Sequence, residues 1–266
     1  MSLPVPDRSE TLDSLQRATS AFCALVRSTR DGSPPAIGTW SVRDTVVHAS
    51  HIFGVLDGLL TGGTSPVKDH RQMSQTWDGL VADDDDETNL AKIADRIQAS
   101  ADSFARNATA DLWESWVPWH GGLKIPTYGL GSILLTEASI HGLDIARATG
   151  RPWGVPRSVA LISIAGLLPV LPHFLDEEAA RGLEANYRLK LRGGPTLFMR
   201  VADNDLVIDE APLGRLDCTI SADPLAYLLV GYGRLGRWGP IFKGQITAWG
   251  RRPQLSLRFA QLFVTP

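Results

Sequence analysis

Cysteine is scarce. Only Cys23 and Cys218 occur in 266 residues, too few for a disulfide framework or a cysteine-rich zinc site. Long apolar runs are missing as well. The best candidate, Val159 to Leu171, is interrupted by Gly166 and Pro169 and is too short to span a bilayer. The first residues lack a basic stretch followed by an apolar one, so no secretory signal is visible and a cytoplasmic location is expected. Positive charge is not in excess either: 26 Lys and Arg stand against 29 Asp and Glu, a net charge of −3. Nucleic acid is therefore not expected as a partner, and the lack of a spanning run leaves no membrane expected either. What remains is average for a globular chain, 44% hydrophobic and 21% charged, which excludes disorder and leaves enough apolar surface for a core.

Charge and periodicity divide the chain. Residues 157–266 carry 13 basic and 10 acidic residues, whereas the first 156 carry 13 and 19. The hydrophobic period changes from helical to alternating in the same neighbourhood, and the expected boundary is 152/153, within Gly150-Arg-Pro-Trp-Gly-Val-Pro156. Residues 1–152 read as a four-helix bundle. Its helices are expected from about Thr11 to Arg30, from Ser41 to the Gly62-Gly63 breaker, from Thr88 to Asn107 and from Leu130 to Thr149, with a long crossover between the second and third. Ser41 is a good N-cap and Gly150 a good C-cap. The acidic run Asp83–Glu87 lacks the spaced ligands of a calcium loop and reads as a solvated helix entry. Residues 153–266 read as a smaller α+β module. It opens with an apolar helix from about Pro156 to Phe174, broken at Pro169. Strands at 187–191, 196–201, 206–209 and 217–221 follow, then a helix near Pro224, and a short strand and terminal helix close it. Asp203-Asn-Asp205 is expected to turn the chain between two strands.

Six histidines could carry chemistry. His141 is the informative one, because Glu137 precedes it by four residues and shares its helix face. A third ligand must come from another helix; His48 is the natural candidate and His51, one turn on, its competitor. Two His and one Glu form the ligand set of open zinc sites and also suit non-haem iron. The same spacing equally describes a helix-stabilising pair beside an ordinary core histidine. Asp144 could make a polar contact with His141 or a surface pair with Arg147. Trp113, Trp116 and Trp119 could wall a pocket, although Trp113 and Trp116 at helical spacing read as core. The Gly231–Gly239 segment follows a helix rather than a strand, so it reads as a turn, from which Arg234 or Arg237 could hold an anionic substrate. Cys23 and Cys218 read as core residues.

Two longer stretches carry a resemblance. Gly38-Thr-Trp-Ser-Val-Arg-Asp-Thr-Val-Val-His48 resembles the second helix of DinB-like metal-binding bundles. Glu137-Ala-Ser-Ile-His-Gly-Leu-Asp-Ile-Ala-Arg-Ala-Thr-Gly150 resembles the matching stretch of mycothiol-dependent maleylpyruvate isomerases and their actinobacterial relatives. The tail, with Asp223-Pro-Leu-Ala-Tyr-Leu-Leu-Val-Gly-Tyr-Gly and Phe242-Lys-Gly-Gln-Ile, resembles the sterol-carrier-like domain appended in that family. The resemblance implies a divalent ion, usually zinc, on His48, Glu137 and His141, with mycothiol as thiol cofactor or co-substrate. It implies an isomerase or an S-transferase acting on a small anionic or electrophilic substrate: the thiolate adds to a double bond and leaves after rotation, or stays attached. A different reading of the same chain is a carrier of an apolar ligand with a structural or idle metal site.

Overall fold

The structure is a computed structural model describing residues 3–84, 88–259 and 261–264. Residues 85–87 of the acidic run lie outside the described residues. The chain forms two compact units, one of Pro6–Gly166 and one of Leu167–Pro266 with the first five residues.

The helical unit is built from α1 (Arg8–Ser28), α2 (Val42–Leu60), α3 (Met73–Ala82), α4 (Leu90–Asn107), α5 (Thr127–Ala148) and α6 (Arg157–Leu167). Local chemistry sets the helix starts. Asp7 accepts the Glu10 amide, and Asn89 accepts the amides of Ala91 and Lys92. Ser41 and Asp44 form a reciprocal capping box at α2, so orphan donors of the first turn are satisfied twice over. Helices α1 and α2 each pack against both α4 and α5. These four are the expected bundle. Gly150, at φ 67°, follows α5 and permits the left-handed exit that ends it.

Helix α5 is buried almost all round, with Gly129, Gly131, Ser132 and Gly142 among its inward residues. Such a helix is central by necessity, because no polar face is left for water. At Gly142 a Cβ would run into the Trp153 indole, whose Nε1 donates to the Ser139 carbonyl at 2.9 Å. Gly142→Ala is therefore expected to destabilise the unit by about 1–3 kcal/mol as the indole is pushed aside. Urea unfolding checks this, and an unchanged midpoint would show that Trp153 moves freely.

Two features of this unit differ from the sequence expectation. The crossover holds a helix of its own, α3, which buries Met73, Trp77 and Val81 at i, i+4 and i+8 and packs on α2. Three anchors in ten residues are a weak periodic signal, and only packing on α2 makes them a face. The compact units also divide at Gly166/Leu167 rather than at 152/153. Helix α6 groups with the bundle because it crosses α5 closely: the Thr136 and Ser163 hydroxyls lie 2.7 Å apart, and Gly166 lies where any Cβ would meet Ser132. Two short antiparallel ladders complete the unit, β1 (Pro35–Ile37) with β2 (Trp40–Ser41) and β3 (Trp116–Pro118) with β4 (Lys124–Pro126).

The second unit carries a five-stranded mixed sheet of β5 (Ala185–Leu191), β6 (Thr196–Ala202), β7 (Asp205–Asp209), β8 (Cys218–Ala222) and β9 (Ile246–Trp249), in the order β7-β6-β5-β8-β9. Only the central β5–β8 pair is parallel. Asp203 and Asn204, at φ 53° and 59°, make the tight β6–β7 turn that the sequence expects. Alternation buries Tyr187, Leu189, Leu197, Met199, Leu206 and Ile208. Helices α7 (Glu177–Ala180), α8 (Pro224–Gly231), α9 (Trp238–Phe242) and α10 (Leu255–Phe259) complete this unit. Pro224 sits in the first turn of α8, with Asp223 capping the Ala226 amide. The fold class is thus a helical bundle followed by a smaller α+β module. No helix among the described residues is long and apolar enough to cross a membrane.

Candidate metal centre

Helices α2 and α5 meet inside the bundle unit and bring His48, Glu137 and His141 together. One ligand atom from each lies within 4.8 Å of the others. Glu137 Oε2 stands 3.1 Å from His141 Nε2 and 3.3 Å from His48 Nε2. Neighbouring ligands on a tetrahedral zinc are about 3.4 Å apart when each bond is about 2.0–2.1 Å. Both carboxylate–imidazole pairs are therefore already at coordinating separations. All three side chains are screened from water, and Glu137 Oε2 is a buried carboxylate oxygen without a hydrogen bond of acceptable geometry. A polar atom left in that state calls for a cation. The residues fit a divalent ion.

Electrostatics set the protonation of the cluster without an ion. Burial works against charge on Glu137, but the two imidazoles outweigh it and hold the carboxyl well below its ordinary range. Burial also works against charge on His141; Glu137 and Asp144 overcome it and push His141 up to about 9. His48 goes the other way, because burial outweighs the attraction of Glu137 and lowers its pKa. The cluster then holds a carboxylate, one imidazolium and one neutral imidazole. An arriving cation displaces the proton on His141.

Asp144 is buried one turn beyond His141, its Oδ2 3.1 Å from His141 Nδ1. Of the two roles open to it in the sequence, the structure places it against the histidine, where it fixes the ring with Nε2 facing Glu137. Asp144→Asn keeps the shape and removes the charge. Metal affinity is expected to fall about 10–100-fold, read by competition with a chromophoric chelator; an unchanged affinity would assign Asp144 to structure alone.

His51 is not part of the cluster. It pairs instead with Asp84, Nε2 to Oδ2 at 3.1 Å. Of the tryptophans, Trp113 is buried and donates to the Pro6 carbonyl. Trp116 is 55% exposed in β3, so it is not the core residue that helical spacing suggests. The hairpin backbone replaces the helix on which that spacing depended. Trp119 is buried with its ring 4.6 Å from that of His120. The aromatic neighbours of His48 are Trp40, at 4.7 Å between centroids, and Trp77, edge-on at 5.9 Å. Sequence reasoning passed over both; the Trp40-Ser41 start of α2 was the available signal for the first. Trp77 lies on the unexpected helix α3 and gave none.

Both cysteines are buried, as expected. Burial pushes the Cys23 thiol up to about 11, so it is inert at neutral pH. Arg234 and Arg237 lie in the second unit, after α8. Arg234 donates to the Tyr232 carbonyl, and the Arg237 guanidinium stands 5.6 Å from the Trp238 ring centre.

A bundle whose helices converge two imidazoles and a carboxylate on one buried point defines a helical-bundle protein with a metal-capable centre. The chain belongs to the mycothiol maleylpyruvate isomerase N-terminal domain family, whose family model matches residues 12–146. Among solved structures it is similar to a mycothiol-dependent maleylpyruvate isomerase, with a TM-score of 0.54 at 14% identity over 91% of this chain and 93% of that one. A histidine-to-alanine mutant of a mycothiol-dependent maleylpyruvate isomerase gives a TM-score of 0.56 at the same identity and coverage. At that identity the likeness establishes the shared fold. No curated protein matches the sequence.

Proposed function

We propose that the chain is a metal-dependent enzyme that uses mycothiol as thiol cofactor or co-substrate, either to isomerise a small electrophile or to transfer the thiol to it. The observation that carries this reading is the buried convergence of His48, Glu137 and His141, in a chain of the mycothiol isomerase family. When bound, a divalent ion such as zinc supplies Lewis acidity and holds a coordinated thiol as its thiolate at neutral pH. The residues of this chain do the rest. Three protein donors leave a tetrahedral ion one open position, which suits a soft thiolate. Asp144 fixes the His141 ring, and Trp40 and Trp77 keep water from the His48 side. Neither protein cysteine is needed as nucleophile. Arg234 and Arg237 stay candidates for holding an anionic substrate on their chemistry alone, a guanidinium matching a carboxylate.

Calorimetry of the zinc-loaded protein with mycothiol, in two buffers of different ionisation enthalpy, tests the reading. Binding is expected to release a proton and to weaken as pH falls, because only the deprotonated thiol is held. Equal binding to protein stripped of metal would overturn the proposal and favour the apolar-ligand carrier.

A further inference from the structure

The last 43 residues, Pro224 to Pro266, contain six basic residues and no Asp or Glu, in a chain whose net charge is −3. Within this segment, helix α9 forms the run Arg237-Trp-Gly-Pro-Ile-Phe-Lys243, an apolar stretch with a cation at each end. Its two large side chains face water. Trp238 is 52% exposed and Phe242 84% exposed, and their rings stack at 6.3 Å. Exposure of that degree is unusual for Phe, which has no polar atom to offer the solvent. The adjoining edge strand β9 adds Trp249, which is also exposed. Arg251 and Arg252 in the same segment share the single carboxylate of Asp217. Arg237 and Lys243, beside the aromatic pair, have no carboxylate of their own segment to pair with.

We propose that α9 and its flanks form a docking surface for an anionic lipid bilayer. Exposed rings of this kind gain by entering the headgroup boundary, while the long Arg237 and Lys243 side chains reach back to lipid phosphates. No acidic side chain of the segment itself opposes an anionic surface. The occupant is a lipid surface rather than an acidic protein because the most exposed contact is a bare Phe at the tip of a five-residue helix. A wedge of that size suits a fluid interface and offers a folded partner little area. Such contact is peripheral and reversible. It is compatible with the lack of a spanning helix among the described residues, and it is independent of the metal centre.

Flotation of the full-length protein with vesicles of phosphatidylcholine, alone or with 30% phosphatidylglycerol, tests the surface. Binding is expected only to the anionic vesicles. Neutralising Lys243 as Lys243→Gln should lower partitioning about five-fold, the equivalent of about 1 kcal/mol per basic residue near the surface. Phe242→Ser is expected to lower it at least about ten-fold. Both side chains are exposed, so neither change should alter the thermal midpoint. Raising the salt from 0.1 to 0.5 M should release the protein. No binding to anionic vesicles, or binding indifferent to Phe242→Ser, overturns the proposal. So does a Phe242-dependent dimer in light scattering without lipid, which would assign the patch to self-association.

Discussion

Replacing Glu137 by Gln, or His48 or His141 by Ala, is expected to lower zinc affinity by more than about 100-fold, beyond what loss of an outer hydrogen-bond partner produces. Each change removes a direct donor from a set whose atoms lie within 4.8 Å of one another, and two donors cannot hold the ion as three do. His51→Ala should leave the metal in place, since His51 is turned to Asp84. Metal analysis of protein purified without chelator reads both outcomes. If His51→Ala strips the ion and His48→Ala does not, the third ligand has been misassigned. Because His141 is pushed up to about 9 in the free cluster, loading at pH 7 should release close to one proton per ion. That release should fade as pH passes 9, and affinity should drop as pH falls below it. Activity is expected to follow occupancy in every variant.

The second large effect is on acid stability, and it arises at His120. This residue is 3% exposed, its Nδ1 2.6 Å from the Ser65 hydroxyl and its ring against Trp119 and Trp77. Ser65 Oγ also accepts the Val67 amide at 3.0 Å, which holds the hydroxyl beside the ring. Burial lowers the His120 pKa to about 4 from an ordinary value of 6.5. Above pH 6.5 the ring is neutral in folded and unfolded chains alike and adds no pH dependence. Between 6.5 and 4 the unfolded chain takes up a proton that the folded one refuses, so stability is lost as pH falls, up to about 3 kcal/mol. Urea unfolding at pH 7.5 and 4.5, compared with His120→Gln, isolates this contribution from that of the carboxylates. The variant should lose about 2–3 kcal/mol less than the native chain over that interval. Equal losses would mean that His120 is protonated without penalty in the fold.

Much of this architecture is legible in the sequence. Helices α1, α2 and α4 announce themselves by periodic apolar faces, and the caps at Ser41 and Gly150 mark the start of α2 and the end of α5 within a few residues of chain. The turn at Asp203 and Asn204 is equally local, since it depends on residues that tolerate positive φ. Glu137 and His141 share a face by helix geometry alone, so half of the cluster followed from a spacing of four. The other half did not. Whether His48 or His51 joins them depends on how α2 rolls against α5, and no property of α2 by itself sets that roll. The roll is fixed by the fit of buried side chains such as Val47, Ile52 and Leu56 against neighbouring helices. Asp144, poised in sequence between a surface pair and a ligand contact, is decided by the same packing.

Other features belong to the tertiary structure outright. Helix α3 has too few anchors to be periodic, yet packing on α2 turns Met73, Trp77 and Val81 into a face and sets Trp77 beside His48. Trp116 reads as helix core by spacing, and the pairing of β3 with β4 exposes it. Helix α6 joins the bundle because small residues at Gly129, Ser132 and Gly166 let two helices approach closely, which an apolar count cannot register. The sequence by itself determined the elements whose causes are local: caps, turns, periods and the face shared by Glu137 and His141. Only the tertiary structure decided which histidine joins Glu137 and His141, the aromatic neighbours of His48 and the limits of the two units, because these depend on contacts between residues far apart in the chain.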